Sequence, residues 1–235
     1  MLFRQLFDRD TCTYTYLLAD EETGDAVLID PVLEQVERDL QLLRELGLTL
    51  RYAIETHVHA DHVTGGGRLR DETGCQTVVS RFAEADCADR HVEDGTSIPF
   101  GRYALEARET PGHTDTCVTY VLQDRSMAFT GDALLVRGCG RTDFQQGDPR
   151  RLYESVHRQI FTLPDNCAIY PGHDYKGRPC SSVGEEKRFN PRLGGGKTVE
   201  EFVAIMEALD LAPPKRIAVA VPANQNCGVR PASLS

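Results

Sequence analysis

Thr56-His57-Val58-His59-Ala60-Asp61-His62 places three imidazoles and a carboxylate within seven residues. In a regular strand residues at even offsets share a face and those at odd offsets point away, so His57, His59 and His62 can all turn toward one point only if this stretch is a loop leaving a strand. Metal chelation is the chemistry that such a density of nitrogen and oxygen donors serves. Residues 51–55 just before it read as a strand. Gly65-Gly66-Gly67 just after it lets the backbone approach something closely ahead of a helix and a strand at residues 76–79.

The same grammar recurs downstream. A strand at residues 104–109 leads into Thr110-Pro111-Gly112-His113-Thr114, one at 127–129 into Thr130-Gly131-Asp132, and one at 167–170 into Pro171-Gly172-His173-Asp174-Tyr175. Ligands of layered α/β proteins gather beyond strand ends, where loops converge while the strands stay packed. Four strands that each feed a His or Asp loop therefore imply one site.

The remaining segments supply the scaffold. Residues 14–18 and 26–29 are β-branched and aromatic runs around a Gly24-Asp25 turn, which predicts a hairpin. Leu33, Val36, Leu40 and Leu43 recur at helical spacing, and Gly47 suits the C-terminal cap. Asp148-Pro149 opens a helix through Leu163, with Leu152, Val156 and Ile160 inward, and Thr198 with Glu201 forms a capping box for another. Residues 216–221 read as a last short strand. Gly194-Gly195-Gly196-Lys197-Thr198 is no phosphate loop, because Pro191 stands where its first glycine belongs and no strand precedes it. His91, among charged residues, and His157, inside a helix, read as structural or solvated histidines.

Composition narrows the function. The chain has 235 residues, 40% hydrophobic and 26% charged, which suits one soluble globular domain. A net charge of -10 repels a phosphate backbone, so nucleic acid is excluded as a partner. No apolar run approaches the roughly 18–20 residues of a membrane span, and the N-terminus lacks the apolar core of a signal peptide, so no membrane and a cytoplasmic location are expected. The eight cysteines form no Cys-x-x-Cys pair, and reduced, scattered thiols are the expectation for a chain this long. Cys139 and Cys227 stand out only because glycines surround them.

Imidazoles with carboxylates suit Zn, Fe or Mn, and two chemistries stay open. His57, His59 and His113 could hold one ion and Asp61, His62 and His173 a second, with Asp132 bridging, as in a water-activating binuclear hydrolase. Alternatively, His57, His113 and Asp132 alone form a two-His, one-carboxylate face of the kind non-haem Fe(II) enzymes use to bring O2 and substrate together.

The order His-x-His-x-Asp-His, Pro-Gly-His-Thr, Thr-Gly-Asp and Pro-Gly-His-Asp-Tyr resembles the metallo-β-lactamase superfamily. Arg137-Gly-Cys-Gly-Arg-Thr-Asp-Phe-Gln145, Phe189-Asn-Pro-Arg-Leu193 and Pro222-Ala-Asn-Gln-Asn-Cys-Gly228 narrow the resemblance to its persulfide (sulfur) dioxygenases. That resemblance implies an α/β fold, the αβ/βα sandwich of two mixed β-sheets flanked by helices, spanning residues 1–235 with a short helix-strand extension from about residue 183. It implies oxidation of glutathione persulfide by O2 to sulfite and glutathione, with one Fe(II) per chain held by His57, His113 and Asp132. His59, Asp61, His62 and His173 would then orient the ligands and a bound water through hydrogen bonds, and Arg141 and Tyr175 would contact glutathione. The rival within the superfamily is glyoxalase II, a binuclear hydrolase of S-lactoylglutathione, whose C-terminal helical domain has no room in the residues after 183. The oligomeric state is left open, with a homodimer as one admissible assembly.

Overall fold

The structure is a computed structural model that describes residues 1–228. The chain divides into two compact units, residues 1–92 with 98–104 and the stretch from 213 onward, and residues 93–97 with 105–212.

The first unit is built on a six-stranded sheet whose strands lie in sequence order: β1 (Leu2–Asp8), β2 (Thr13–Ala19), β3 (Asp25–Ile29), β4 (Thr49–Ile54), β5 (Gln76–Ser80) and β6 (Arg90–Val92). β1, β2 and β3 are antiparallel neighbours, and from β3 to β6 the pairing is parallel. Parallel neighbours need a crossover, and α1 (Val36–Glu45) and α2 (Gly66–Thr73) supply the first two. The predicted stripe of α1 is realised: Val36, Leu40 and Leu43 are buried against Leu17, Leu28, Leu50 and Leu69. The helix stops at Gly47, whose φ of +63° only glycine adopts without strain. β1 was not foreseen, since an edge strand pairs on one side only and this one shows no clean alternation.

The second sheet runs in the order β12-β11-β10-β9-β8-β7. Its strands are β7 (Ser97–Phe100), β8 (Tyr103–Glu109), β9 (Val118–Leu122), β10 (Met127–Gly131), β11 (Ala168–Pro171) and β12 (Ser181–Ser182). It too is mixed: β8, β9 and β10 pair antiparallel, β10 with β11 parallel, and β11 with β12 antiparallel. α3 (Pro149–Ser155) lies on the β10–β11 crossover; Asp148 caps it by accepting from the Arg151 amide at 3.1 Å, and it passes into a π-helical turn at Val156–Ile160. α4 (Val183–Phe189) and α5 (Val199–Glu207) follow, the latter carrying the predicted reciprocal capping box of Thr198 and Glu201. Leu152, Val156 and Ile160 share a core with Phe202 and Met206.

Two expectations are corrected. Residues 216–221 are not a strand, because Ile217–Asn224 forms a helix, α6. A short run of Ile, Val and Ala has no decisive period, and here tertiary bonds to its last residue outweigh β-propensity. The cysteines are not all thiols either: Cys87 and Cys227, 140 residues apart in the first unit, form a disulfide. No helix among the described residues is long and apolar enough to cross a membrane.

Candidate metal centre

In the first unit the chain leaves β4 at Ile54 and enters the histidine loop, as predicted. Asp30, at the end of β3 with φ +52°, anchors the start of that loop: its carboxylate accepts from the Thr56 amide at 2.7 Å and from the Thr56 hydroxyl at 2.8 Å. The Thr56 hydroxyl hydrogen is thereby committed, so Oγ1 is left to accept from Nδ1 of His57 at 3.0 Å. That bond fixes the tautomer and leaves Nε2 of His57 with its lone pair available to a metal.

His59 takes a different role. Its Nε2 lies 3.2 Å from Asp30 Oδ1 and 3.5 Å from Glu55 Oε2, deep in the unit. Burial works against the imidazolium, yet Asp30, Asp61 and Glu55 around it raise its pKa to about 9. Burial, helped by the Asp30 charge, pushes the Glu55 carboxyl up to about 8, and the Thr64 hydroxyl donates to it. His59 is thus built as a partner of buried acids. His62 Nδ1 meets Asp61 Oδ2 at 2.9 Å, and Thr13 Oγ1 lies 3.3 Å from the same carboxylate oxygen. His59, Asp61 and His62 together offer donor atoms within 4.8 Å of one another, a spacing that would also accept an ion.

In the second unit the loops after β8, β10 and β11 carry His113, Asp132 and His173, each where the strand-then-ligand grammar placed it. His113 Nδ1 donates to the Arg141 carbonyl at 2.6 Å, so its lone pair sits on Nε2, and Nε2 is 3.6 Å from Asp132 Oδ2. Two donors about 2 Å from a common ion stand at such a separation. The other Asp132 oxygen, Oδ1, accepts from His173 Nδ1 at 2.7 Å. His173 therefore orients the carboxylate. Glycines keep this geometry possible: a Cβ on Gly140 would stand 2.6 Å from His113 Nδ1, and one on Gly172 2.9 Å from Asp132 Oδ1.

The loop that receives the His113 bond is itself braced. Asn190 Nδ2 donates to the Gly138 carbonyl at 3.0 Å, and Arg192 Nη1 to the Cys139 carbonyl at 2.9 Å. Phe189-Asn-Pro-Arg-Leu193 thus supports Arg137-Gly-Cys-Gly-Arg141, a link between two motifs that are adjacent only in space. The Arg141 guanidinium pairs with Asp143 at 2.7 Å and donates to the carbonyls of Ala212 and Leu211. Tyr175 is 69% exposed with its ring parallel to that of His173. Burial pushes the Cys139 thiol up to about 11, so it is inert packing beside Met206. Sequence reasoning missed Asp30, Thr56 and Glu55 as supports of the histidine loop; the one available signal was an Asp placed, like the ligands, directly after a strand.

The sequence pattern of the metallo-beta-lactamase superfamily matches residues 12–173. The mitochondrial persulfide dioxygenases ETHE1 of Bos taurus and Homo sapiens are each 61% identical over 231 residues, 98% of this chain and 90% of theirs. The chain belongs to the persulfide dioxygenases of the metallo-beta-lactamase superfamily. The crystal structure of ETHE1 from Myxococcus xanthus, 55% identical, matches with a TM-score of 0.94 over 97% of this chain and 100% of that one. The expected αβ/βα architecture of two mixed sheets flanked by helices is that of the family, as is a metal-binding site of His and Asp residues.

Proposed function

We propose that this enzyme oxidises glutathione persulfide with O2 and water to sulfite and glutathione, with one Fe(II) per chain held by Nε2 of His57, Nε2 of His113 and Oδ2 of Asp132. The observation that carries the assignment is the set of committed outer bonds. Thr56, the Arg141 carbonyl and His173 each bond the far atom of one proposed ligand, and each thereby fixes the orientation of that side chain. Two imidazoles and one carboxylate suit ferrous iron and leave open positions. The iron, when bound, supplies the redox chemistry by which O2 reacts with the outer persulfide sulfur. In the overall reaction the S–S bond of the persulfide breaks, O2 takes up the four electrons that sulfur loses, and water provides the third oxygen of sulfite.

The protein's own part is orientation. His173 keeps the Asp132 carboxylate from rotating, and Asp30 with Thr56 does the same for His57. Tyr175 and Arg141 are the proposed contacts for the glutathione moiety. The exposed Tyr175 phenol beside His173 suits a peptide partner, and the Arg141 guanidinium suits a carboxylate, which would exchange with Asp143. The similarity to proteins named persulfide dioxygenase supports the substrate class.

The deciding experiment adds glutathione persulfide to iron-loaded protein. O2 consumption and sulfite release are expected, both absent anaerobically. Hydrolysis of S-lactoylglutathione with no persulfide-dependent O2 uptake, in protein shown to contain its iron, would replace the dioxygenase with the binuclear glyoxalase II reading.

A further inference from the structure

The motif Pro222-Ala-Asn-Gln-Asn-Cys-Gly228 has no part in the chemistry above, yet its Asn224 reaches the histidine loop. Asn224 is buried, the last residue of α6, and its amide spends both polar atoms on that loop's backbone. Oδ1 accepts from the Thr64 amide at 2.8 Å, and Nδ2 donates to the carbonyls of His59 and His62, both at 2.9 Å. Each of these bonds spans at least 160 residues. No local turn chemistry accounts for them. With Asp30 holding the loop at Thr56, the four residues from His59 to His62 are fixed at the opposite end by one side chain. The His57, His59 and His62 rings lie in sequence between or at these two anchors, with centroids 4.0 and 4.2 Å apart.

The segment carrying Asn224 is fastened in turn. The Gly67 amide donates to the Cys227 carbonyl at 3.1 Å, an approach so close that a Cβ on Gly67 would run into that oxygen. Cys227 itself is tied to Cys87, in the loop between β5 and β6.

We propose that Asn224 is a positioning residue of the metal site: it shapes the histidine loop so that the imidazoles are preorganised for a metal, and the Cys87–Cys227 disulfide secures the segment that holds it there. The role rests on the assignment of His57 as a metal ligand. An asparagine is required chemically, because the site needs two N–H donors for two carbonyls and one acceptor for an amide on a single planar group. Aspartate keeps the acceptor, loses both donors and sets a negative charge against two carbonyl oxygens. Alanine loses all three bonds. Misplacement of ligands on this scale lowers metal affinity roughly 10–100-fold, as loss of other ligand-orienting contacts does.

The test is an anaerobic titration of the full chain, metal-free, with Co(II), whose visible d–d bands report ligand geometry directly. Wild type, Asn224→Asp, Asn224→Ala, Cys87→Ser and His57→Ala are compared, with the thermal midpoint of each metal-free protein measured in parallel. Asn224→Asp and Asn224→Ala should raise the Co(II) Kd roughly 10–100-fold and alter the d–d bands. A lowered midpoint with wild-type Kd and spectrum would mean that Asn224 serves the fold alone and would overturn the proposal. If neither Asn224 variant folds, Cys87→Ser decides, since it frees the segment without touching the loop: faster Co(II) release supports the proposal, and an unchanged rate overturns it. His57→Ala isolates the underlying assignment, because Co(II) binding as in wild type by that variant would remove the metal site itself, whatever Asn224 does.

Discussion

At the scale of single residues, each proposed ligand is oriented by the bond its far atom makes. His113 donates from Nδ1 to a backbone carbonyl, whereas His173 donates from Nδ1 to Asp132 and so orients the carboxylate of another proposed ligand. Removing the two should have different consequences. His113→Ala should purify nearly free of iron; His173→Ala should keep its iron and lose roughly 10–100-fold in activity or affinity. Iron content measured on both variants checks this, and equal loss would make His173 a ligand. The Gly140 position belongs to the same scale. Gly140→Ala should displace the His113 ring, which a Cβ would approach to 2.6 Å, and iron content should fall with it although no ligand is changed.

At the scale of elements, the predicted helices were read correctly where a periodic stripe met a cap, as in α1 and α5. A helix was missed where the run was short, since the residues of α6 were expected as a strand. α1 also holds a polar residue that its pattern conceals. Asp39 is buried with the core residues, its Oδ1 pairs with the adjacent Arg38 at 2.8 Å, and its Oδ2 has no hydrogen-bond partner. Burial pushes its carboxyl up to about 6 against the pull of Arg38. The folded state therefore holds this proton more tightly than the unfolded chain, whose value is about 4. The stability this contributes is complete below pH 4 and is lost as pH rises toward and through 6, an effect on the order of 2–3 kcal/mol. Asp39→Asn should flatten the dependence of the urea midpoint on pH between 4 and 7 and make the protein more stable at pH 7. An unchanged slope would show that Arg38 keeps Asp39 ionised throughout.

At the scale of the whole molecule, the number of metal ions separates the two chemistries that its donor residues allow. Protein produced without zinc supplementation should contain about one Fe and little Zn per chain. Elemental analysis finding two equivalents would mean that His59, Asp61 and His62 bind as well, and with them would come the binuclear hydrolase. His59 is engaged with Asp30 and Glu55, and a second ion there would compete with those acids for its ring.

The sequence alone determined which candidate donors stand at strand ends. Chelating side chains are few in kind, and each follows a short strand, so His57, His113, Asp132 and His173 were legible as strand-end loops. Tertiary structure alone decided what those donors do. Which nitrogen of His113 carries the proton depends on a carbonyl 28 residues away, the histidine loop is bonded by Asn224 some 160 residues later, and the partner of Cys87 lies 140 residues off. Local pattern records the propensity of a segment and the chemistry of a side chain. A hydrogen bond between distant segments depends on where the folded chain returns, and no local period encodes that position.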